Sequence, residues 1–291
     1  MANNTAEADA VVFDTVLSSR DFANLSRFIL DQCGIKMPPS KKQMLEGRLR
    51  KRLRVLGFNS FERYLEYLFG PEGKEKAEFV YMIDEVTTNK TDFFRENQHF
   101  NFLTKVALPE LIEQYGMGVR STLNVWSAGC STGEEPYTLA MVLSEFAQKV
   151  PAFDFSIVAT DISTKVLEKA GRGIYESSHI EPVPMPLRKK YLLKSKDQSR
   201  NLVRITPGVR SLVRFQRLNL LDKVFNVNKR MAVVFCRNVL IYFDRKTQES
   251  VLRHICQHLL EGGYLFTGHS ETLHNMDLPL EQRNSTVYRR Q

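Results

Sequence analysis

A chain of 291 residues with 43% hydrophobic content can build one large or two modest cores, which excludes a disordered or fibrous protein. The start, Met1-Ala2-Asn3-Asn4-Thr5-Ala6-Glu7, has no basic stretch leading into an apolar run, and no segment approaches ~18 consecutive apolar residues, so a cytoplasmic protein without membrane insertion is expected. A net charge of +8 would raise nucleic acid as a partner, but the excess is local: in residues 36–54, Lys36, Lys41, Lys42, Arg48, Arg50, Lys51, Arg52 and Arg54 face only Glu46, a balance of +7.

Up to residue 86 the pattern is helical throughout. Phe22, Leu25 and Ile29 mark a first helix. Ser40-Lys41-Lys42-Gln43 has the form of a capping box, and Leu45, Leu49, Leu53 and Leu56 follow before Gly57, predicting an amphipathic helix with an apolar stripe and a basic outer face. That face is either a solvated surface or a docking face for an acidic partner. Further helices at 61–68 and 79–86 complete a small helical domain, assigned to 1–87. Residues 87–95 form a polar joint. Strand and helix patterns then alternate at 123–128, 134–147, 155–160 and 164–170, which argues a mostly parallel sheet covered by helices, in a domain assigned to 88–291. The alternation breaks at 173–216, where Pro182, Pro184 and Pro186 precede two alternating runs flanking Pro207-Gly208. This predicts an inserted β element with a hairpin turn. A strand at 231–236, a helix at 246–260, a strand at 263–267 and an antiparallel edge strand at 285–289 follow.

The most informative stretch is Asn124-Val125-Trp126-Ser127-Ala128-Gly129-Cys130-Ser131-Thr132-Gly133-Glu134-Glu135-Pro136-Tyr137. A buried strand stops in a small-residue turn and opens into an acidic helix start, where the backbone can approach a ligand and negative charge is favoured. The next strand ends at Asp161, the position from which α/β nucleotide folds hold a ribose. Gly129-x-x-x-Gly133 is not the spacing of a dinucleotide turn, and two carboxylates stand where phosphates would sit. S-adenosylmethionine fits better, having a ribose, an ammonium, a sulfonium and no phosphate. The alternative is an ordinary loop whose glycines only pack helix on strand.

Three more segments accompany this turn: Thr87-Thr88-Asn89-Lys90-Thr91-Asp92-Phe93-Phe94-Arg95-Glu96, then Val233-Val234-Phe235-Cys236-Arg237-Asn238-Val239-Leu240-Ile241-Tyr242-Phe243, and Gly268-His269-Ser270-Glu271. In this order, with Ser-Thr-Gly-Glu-Glu-Pro-Tyr and Ala-Thr-Asp-Ile between them, they closely resemble the CheR family of chemotaxis receptor glutamate methyltransferases, over residues 22–288. The resemblance implies an α/β, Rossmann-like S-adenosylmethionine-dependent methyltransferase sheet, an N-terminal all-helical domain and an inserted small antiparallel β-subdomain. It implies S-adenosyl-L-methionine as cofactor, with S-adenosyl-L-homocysteine as product. Arg95 and Glu135 would grip the methionyl carboxylate and ammonium, and Asp161 the ribose. Asn89, Thr91, Asn219, Leu220, Arg237 and Asn238 match other cofactor-contacting positions, and Arg95 with Tyr242 would act at the reacting centre. The implied partners are the acidic methylation helices of a chemoreceptor cytoplasmic domain, facing the basic helix, and, as in some members of the family only, a receptor C-terminal peptide at the β-subdomain.

A glutamate acceptor fits the absence of a Ser/His/Asp or Cys/His arrangement, because a carboxylate is already anionic at neutral pH and needs no general base. No metal is expected: Cys33, Cys130, Cys236 and Cys256 are too scattered for a zinc pattern, and His254 and His258 have no third ligand. His269 is expected to order the sheet edge. The chain departs from the family pattern at Ala128-Gly129-Cys130, where alanines are common, and at Asn201, where tail-binding members carry glycine. Two readings compete. A non-catalytic signalling module would not need Arg95, Glu135, Asp161 and Tyr242 together, and a nucleic-acid methyltransferase would carry an Asn-Pro-Pro-Tyr-like motif.

Overall fold

The computed structural model describes residues 15–197, 199–227 and 230–291, so Met1 to Glu7 lie outside the described residues. The chain divides into two compact units, Met1–Thr88 and Asn89–Gln291.

The first unit is helical. Helix α1 (Ser19–Cys33) is capped by Ser18, which accepts from Asp21 N, and buries Phe22, Leu25, Ile29 and Cys33. Helix α2 (Lys42–Leu56) buries Leu45, Leu49 and Leu53 and stops at Gly57, whose φ of 73° suits glycine. The capping box expected at Ser40 does not form. Residues Pro39–Lys41 make a 3₁₀ turn that runs straight into α2, and the fixed φ of Pro39 starts that turn in place of a side-chain cap. Helices α3 (Phe61–Phe69) and α4 (Glu78–Val86) close the unit.

The basic side of α2 is less open than its composition suggests. Glu46, the one acid of the segment, is buried and accepts from Leu17 N. Arg52 makes a two-pronged ion pair with the buried Glu78 at 2.8 and 2.7 Å, and Tyr64 donates to the same carboxylate. Arg48 donates to Val86 O and Thr87 O, and Arg50 to Thr15 O. These three arginines tie the unit together. Lys51 and Arg54 are exposed.

The second unit is built on strands β1 (Leu123–Ala128), β2 (Phe155–Asp161), β3 (Ile174–Glu176), β4 (Leu192–Lys194), β5 (Leu202–Ile205), β6 (Val213–Arg217), β7 (Met231–Cys236), β8 (Leu259–Thr267), β9 (Leu280–Asn284) and β10 (Val287–Arg290). Seven form one sheet in the order β6-β2-β1-β7-β8-β10-β9, parallel from β6 to β8 and antiparallel at β10 and β9. Helices α5 (Glu134–Ala147), α6 (Thr164–Arg172) and α7 (Arg245–His258) lie between its strands in the chain. All six residues of β7 are buried, as a central parallel strand requires. From β1 the chain proceeds to β2 on one side and later to β7 on the other, which opens a crevice at the carboxyl ends of these strands.

Two sequence expectations are corrected here. The runs on either side of Pro207-Gly208 do not form a hairpin. Pro207–Arg210 is a single helical turn, β5 pairs with β3 and β4 in a separate three-stranded antiparallel sheet, and β6 joins the main sheet beside β2. The C-terminal strand is antiparallel as expected, but β9 lies outside it and forms the edge. Asn201, where tail-binding members carry glycine, takes no positive φ.

Candidate functional site

The crevice floor is the turn between β1 and α5. Gly129 and Gly133 take φ of 77° and 96°, where a side chain would be strained. A Cβ on Gly129 would also fall 2.3 Å from a Val239 methyl, so this glycine lets the turn lie against the exit of β7. Gly129 N and Cys130 N both donate to Thr160 O, and Ser131 N donates to Asp161 Oδ2 at 2.8 Å. Asp161 Oδ1 accepts from Ser163 N at 3.0 Å. Asp161 thus anchors the turn through both oxygens, and each carboxylate oxygen can accept further hydrogen bonds. Asn89 is brought in from the preceding segment, its carbonyl accepting from Ser131 Oγ at 3.0 Å. Tyr175 on β3 donates to Thr132 O at 2.7 Å, bonding the small sheet to the same turn.

The two glutamates at the start of α5 diverge. Glu134 is buried and accepts from Thr132 Oγ1 at 2.6 Å, and burial raises its carboxyl above the ordinary range. Glu135 turns to the strand ends. One oxygen accepts from Ser127 Oγ at 2.7 Å and the other from Arg237 Nε at 2.7 Å. This ion pair is almost wholly buried, with side-chain exposures of 2% and 10%.

Arg237 is the hub of the site. Beyond Glu135, its Nη1 donates to Arg95 O at 2.8 Å and to His99 Nδ1 at 3.0 Å, and lies 3.5 Å from Glu96 Oε2. His99 is buried, and desolvation, helped by Arg237, lowers its pKa to about 4. A guanidinium only donates, so neutral His99 accepts at Nδ1 and gives its Nε2 proton to Thr286 Oγ1, 2.8 Å away. Glu96, His99 and His269 come within reach of a common cation. The His99 lone pair there is taken by Arg237, and a metal ion would face a guanidinium, so the cluster is better described as a hydrogen-bonded joint.

The remaining expected residues fall around this hub. Asn238 takes φ 58°, and its amide reaches Glu96 Oε1 at 3.4 Å. Arg95 is half-buried, its guanidinium donating to Lys90 O at 3.2 Å. Asn219 caps its own turn by accepting from Leu221 N, and Leu220 is buried beside Trp126 and Ala128 in one apolar cluster. Leu218 N donates to Asp161 O, which ties that segment to the end of β2. Thr91 and Tyr242 are half-buried, Tyr242 at the end of the 3₁₀ turn Leu240–Tyr242. His254 and His258 pack on Phe225, with ring centroids 5.4 and 5.6 Å away. His269 meets Gln98 Nε2 at 2.9 Å and donates its backbone N–H to Glu96. Glu96 and His99 were not singled out from the sequence. Glu96 stands inside the motif ending Phe-Phe-Arg-Glu, whereas a lone histidine such as His99 carries no local signal.

A turn with carboxylates at its ribose and helix-start positions, and a buried arginine holding one of them, fits a nucleoside bearing an amino-acid end. The family model described as the CheR methyltransferase SAM binding domain matches residues 89–289, and that for the CheR methyltransferase all-alpha domain matches 20–87. The chain belongs to the CheR family. The chemotaxis protein methyltransferase of Borreliella burgdorferi is 38% identical over 258 residues, covering 88% of this chain and 89% of that protein. The Salmonella typhimurium chemotaxis protein methyltransferase is 38% identical over 272 residues, 94% of this chain and 90% of that protein. The Escherichia coli protein of the same name is 36% identical over 272 residues, with 94% and 91% covered. Like other CheR members, the protein is an S-adenosylmethionine-dependent methyltransferase of chemotaxis, and the expected fold class is met. No helix among the described residues is long and apolar enough to cross a membrane.

Proposed function

We propose that this CheR enzyme methylates glutamate side chains on the cytoplasmic helices of chemoreceptors, giving glutamate methyl esters and S-adenosylhomocysteine. The observation that carries the reading is the Asp161 and Glu135–Arg237 arrangement at the carboxyl edge of the sheet, in an enzyme whose relatives are named for chemotaxis. S-adenosylmethionine supplies an electrophilic methyl on a sulfonium. Asp161 accepts from the ribose hydroxyls, Glu135 takes the ammonium while Arg237 orients it, and Arg95 meets the methionyl carboxylate. Asn89, Thr91, Asn219, Leu220 and Asn238 line the remaining contacts.

The acceptor glutamate, with a pKa of about 4.3, arrives as the nucleophile, so the enzyme supplies alignment and a dry site, with neither base nor metal required. Tyr242 donates to the incoming carboxylate or shapes the methyl pocket. The exposed Lys51 and Arg54 of α2 favour an acidic receptor helix, and the β3-β5-β4 sheet offers outer strands to which a receptor C-terminal peptide can add.

The reading is tested by incubating the protein with methyl-labelled S-adenosylmethionine and a receptor cytoplasmic fragment, then scoring base-labile methanol. Label on nucleic acid, or none on the receptor, would overturn it. At the chemical step, Tyr242→Phe is expected to lower turnover about ten- to a hundredfold, roughly 1.4 to 2.7 kcal/mol, with cofactor affinity little changed. Complete inactivation would contradict a mechanism in which the nucleophile carries no proton.

A further inference from the structure

The strand exit that carries Asn238 and Tyr242 is held by a carboxylate with no role so far. Glu271 is buried, at 5% exposure, in the turn that follows β8. One of its oxygens accepts from the backbone N–H groups of Asn238 and Gly268, both at 2.7 Å, and the other from Ile241 N at 3.2 Å. The turn presenting it is itself fixed, because Glu271 N donates to Gly268 O and Glu271 O accepts from Thr267 Oγ1. Gly268 permits the close approach: a Cβ there would lie 2.5 Å from Asn238 Nδ2 and 2.9 Å from Asn238 N.

Among the N–H groups that Glu271 holds, those of Asn238 and Ile241 bracket the segment leading to Tyr242. Asn238 sits at φ 58°, a left-handed conformation that asparagine tolerates better than most L-residues. Charge-assisted bonds from a buried carboxylate are roughly twice as strong as neutral ones, and the one to Asn238 N helps hold that conformation. Burial raises the Glu271 carboxyl above its ordinary range, while the backbone N–H groups at Gly268, Asn238, Ile241 and Leu240 act in the opposite sense.

We propose that Glu271 is a positioning residue for methyl transfer, its carboxylate setting the backbone of residues 238–242 and thereby the place of the Tyr242 ring. The link to turnover rests on the role proposed for Tyr242. The test uses the full chain with Tyr242 replaced by its 3-fluoro derivative, so that fluorine NMR reports the ring's surroundings directly. Glu271→Gln keeps the shape but turns an amide NH₂ toward backbone donors. It should shift or broaden that resonance and lower kcat about ten- to a hundredfold, while KM for S-adenosylmethionine changes little. In a double-mutant cycle, Glu271→Gln with Tyr242→Phe should be no slower than the slower single variant.

An unmoved resonance with full turnover overturns the proposal, and so do losses that multiply in the double variant. A moved resonance beside a fully active Tyr242→Phe supports the positioning of the segment and overturns the Tyr242 reading instead. If Glu271→Gln does not fold, Gly268→Ala, whose methyl meets Asn238, should move the same resonance; no movement there also overturns the proposal.

Discussion

Asp161 holds the cofactor turn as well as the ribose position proposed for it, through Ser131 N and Ser163 N. Asp161→Ala should therefore weaken S-adenosylhomocysteine binding by about 1.5 to 3 kcal/mol and also lower stability, since two buried N–H groups lose their acceptor. Calorimetry and denaturant titration read the two losses separately, and unchanged affinity in a folded variant would remove the ribose assignment. His99 makes a pH prediction. Burial and Arg237 lower its pKa to about 4, against the opposing pull of Glu96 and with a small further push from His269. The unfolded imidazole titrates near 6.5, so between these values the unfolded chain binds a proton that the folded one refuses. Stability should fall as pH drops from about 6.5 to about 4. Urea midpoints across that window should show the fall, with a smaller slope in His99→Gln; equal slopes would assign it to other groups.

At the scale of elements, the structure chooses which charges of α2 to test. Arg48, Arg50 and Arg52 are committed inside the unit, so reversing them would confuse docking with folding. Lys51 and Arg54 are exposed, and Lys51 reaches Glu85 only at 3.6 Å, a surface pair worth at most about 1 kcal/mol. Lys51→Glu with Arg54→Glu should slow receptor methylation about tenfold at low salt, less at high salt, with S-adenosylhomocysteine affinity unchanged. Equal rates at low salt would make this face a solvated surface. The apolar stripe of α2 was legible because a period of 3.6 reports a buried face directly; the inward turn of its arginines was not, because their acceptors lie on other segments. The same limit explains β6. Alternation at 209–215 announces a half-buried strand but not its partner, and Pro207 starts a helical turn as readily as a hairpin. In the site, Glu135 and Asp161 could be read because helix starts and strand ends are local features. Their tie to Arg237, 102 residues beyond Glu135, could not.

For the whole molecule, every residue proposed to touch the cofactor belongs to the unit Asn89–Gln291, and α2 belongs to Met1–Thr88. A ligand that binds only folded protein stabilises it by about 2.7 kcal/mol at a hundred times its Kd. S-adenosylhomocysteine should therefore raise hydrogen-exchange protection in residues 127–135, 158–163 and 236–242. Equal protection gained across 42–56 would contradict the assignment of the crevice to the second unit.

The buried pair of Glu135 and Arg237 has a consequence for descent. Removing either partner leaves the other charge stranded in a dry interior, at a cost of about 3 to 5 kcal/mol, a large part of the stability of a typical domain. An apolar pair of matching volume need not be less stable, yet any lineage changing one codon at a time must first pass through the stranded charge. The two positions are therefore expected to persist together or be lost together, whatever selection acts on cofactor binding.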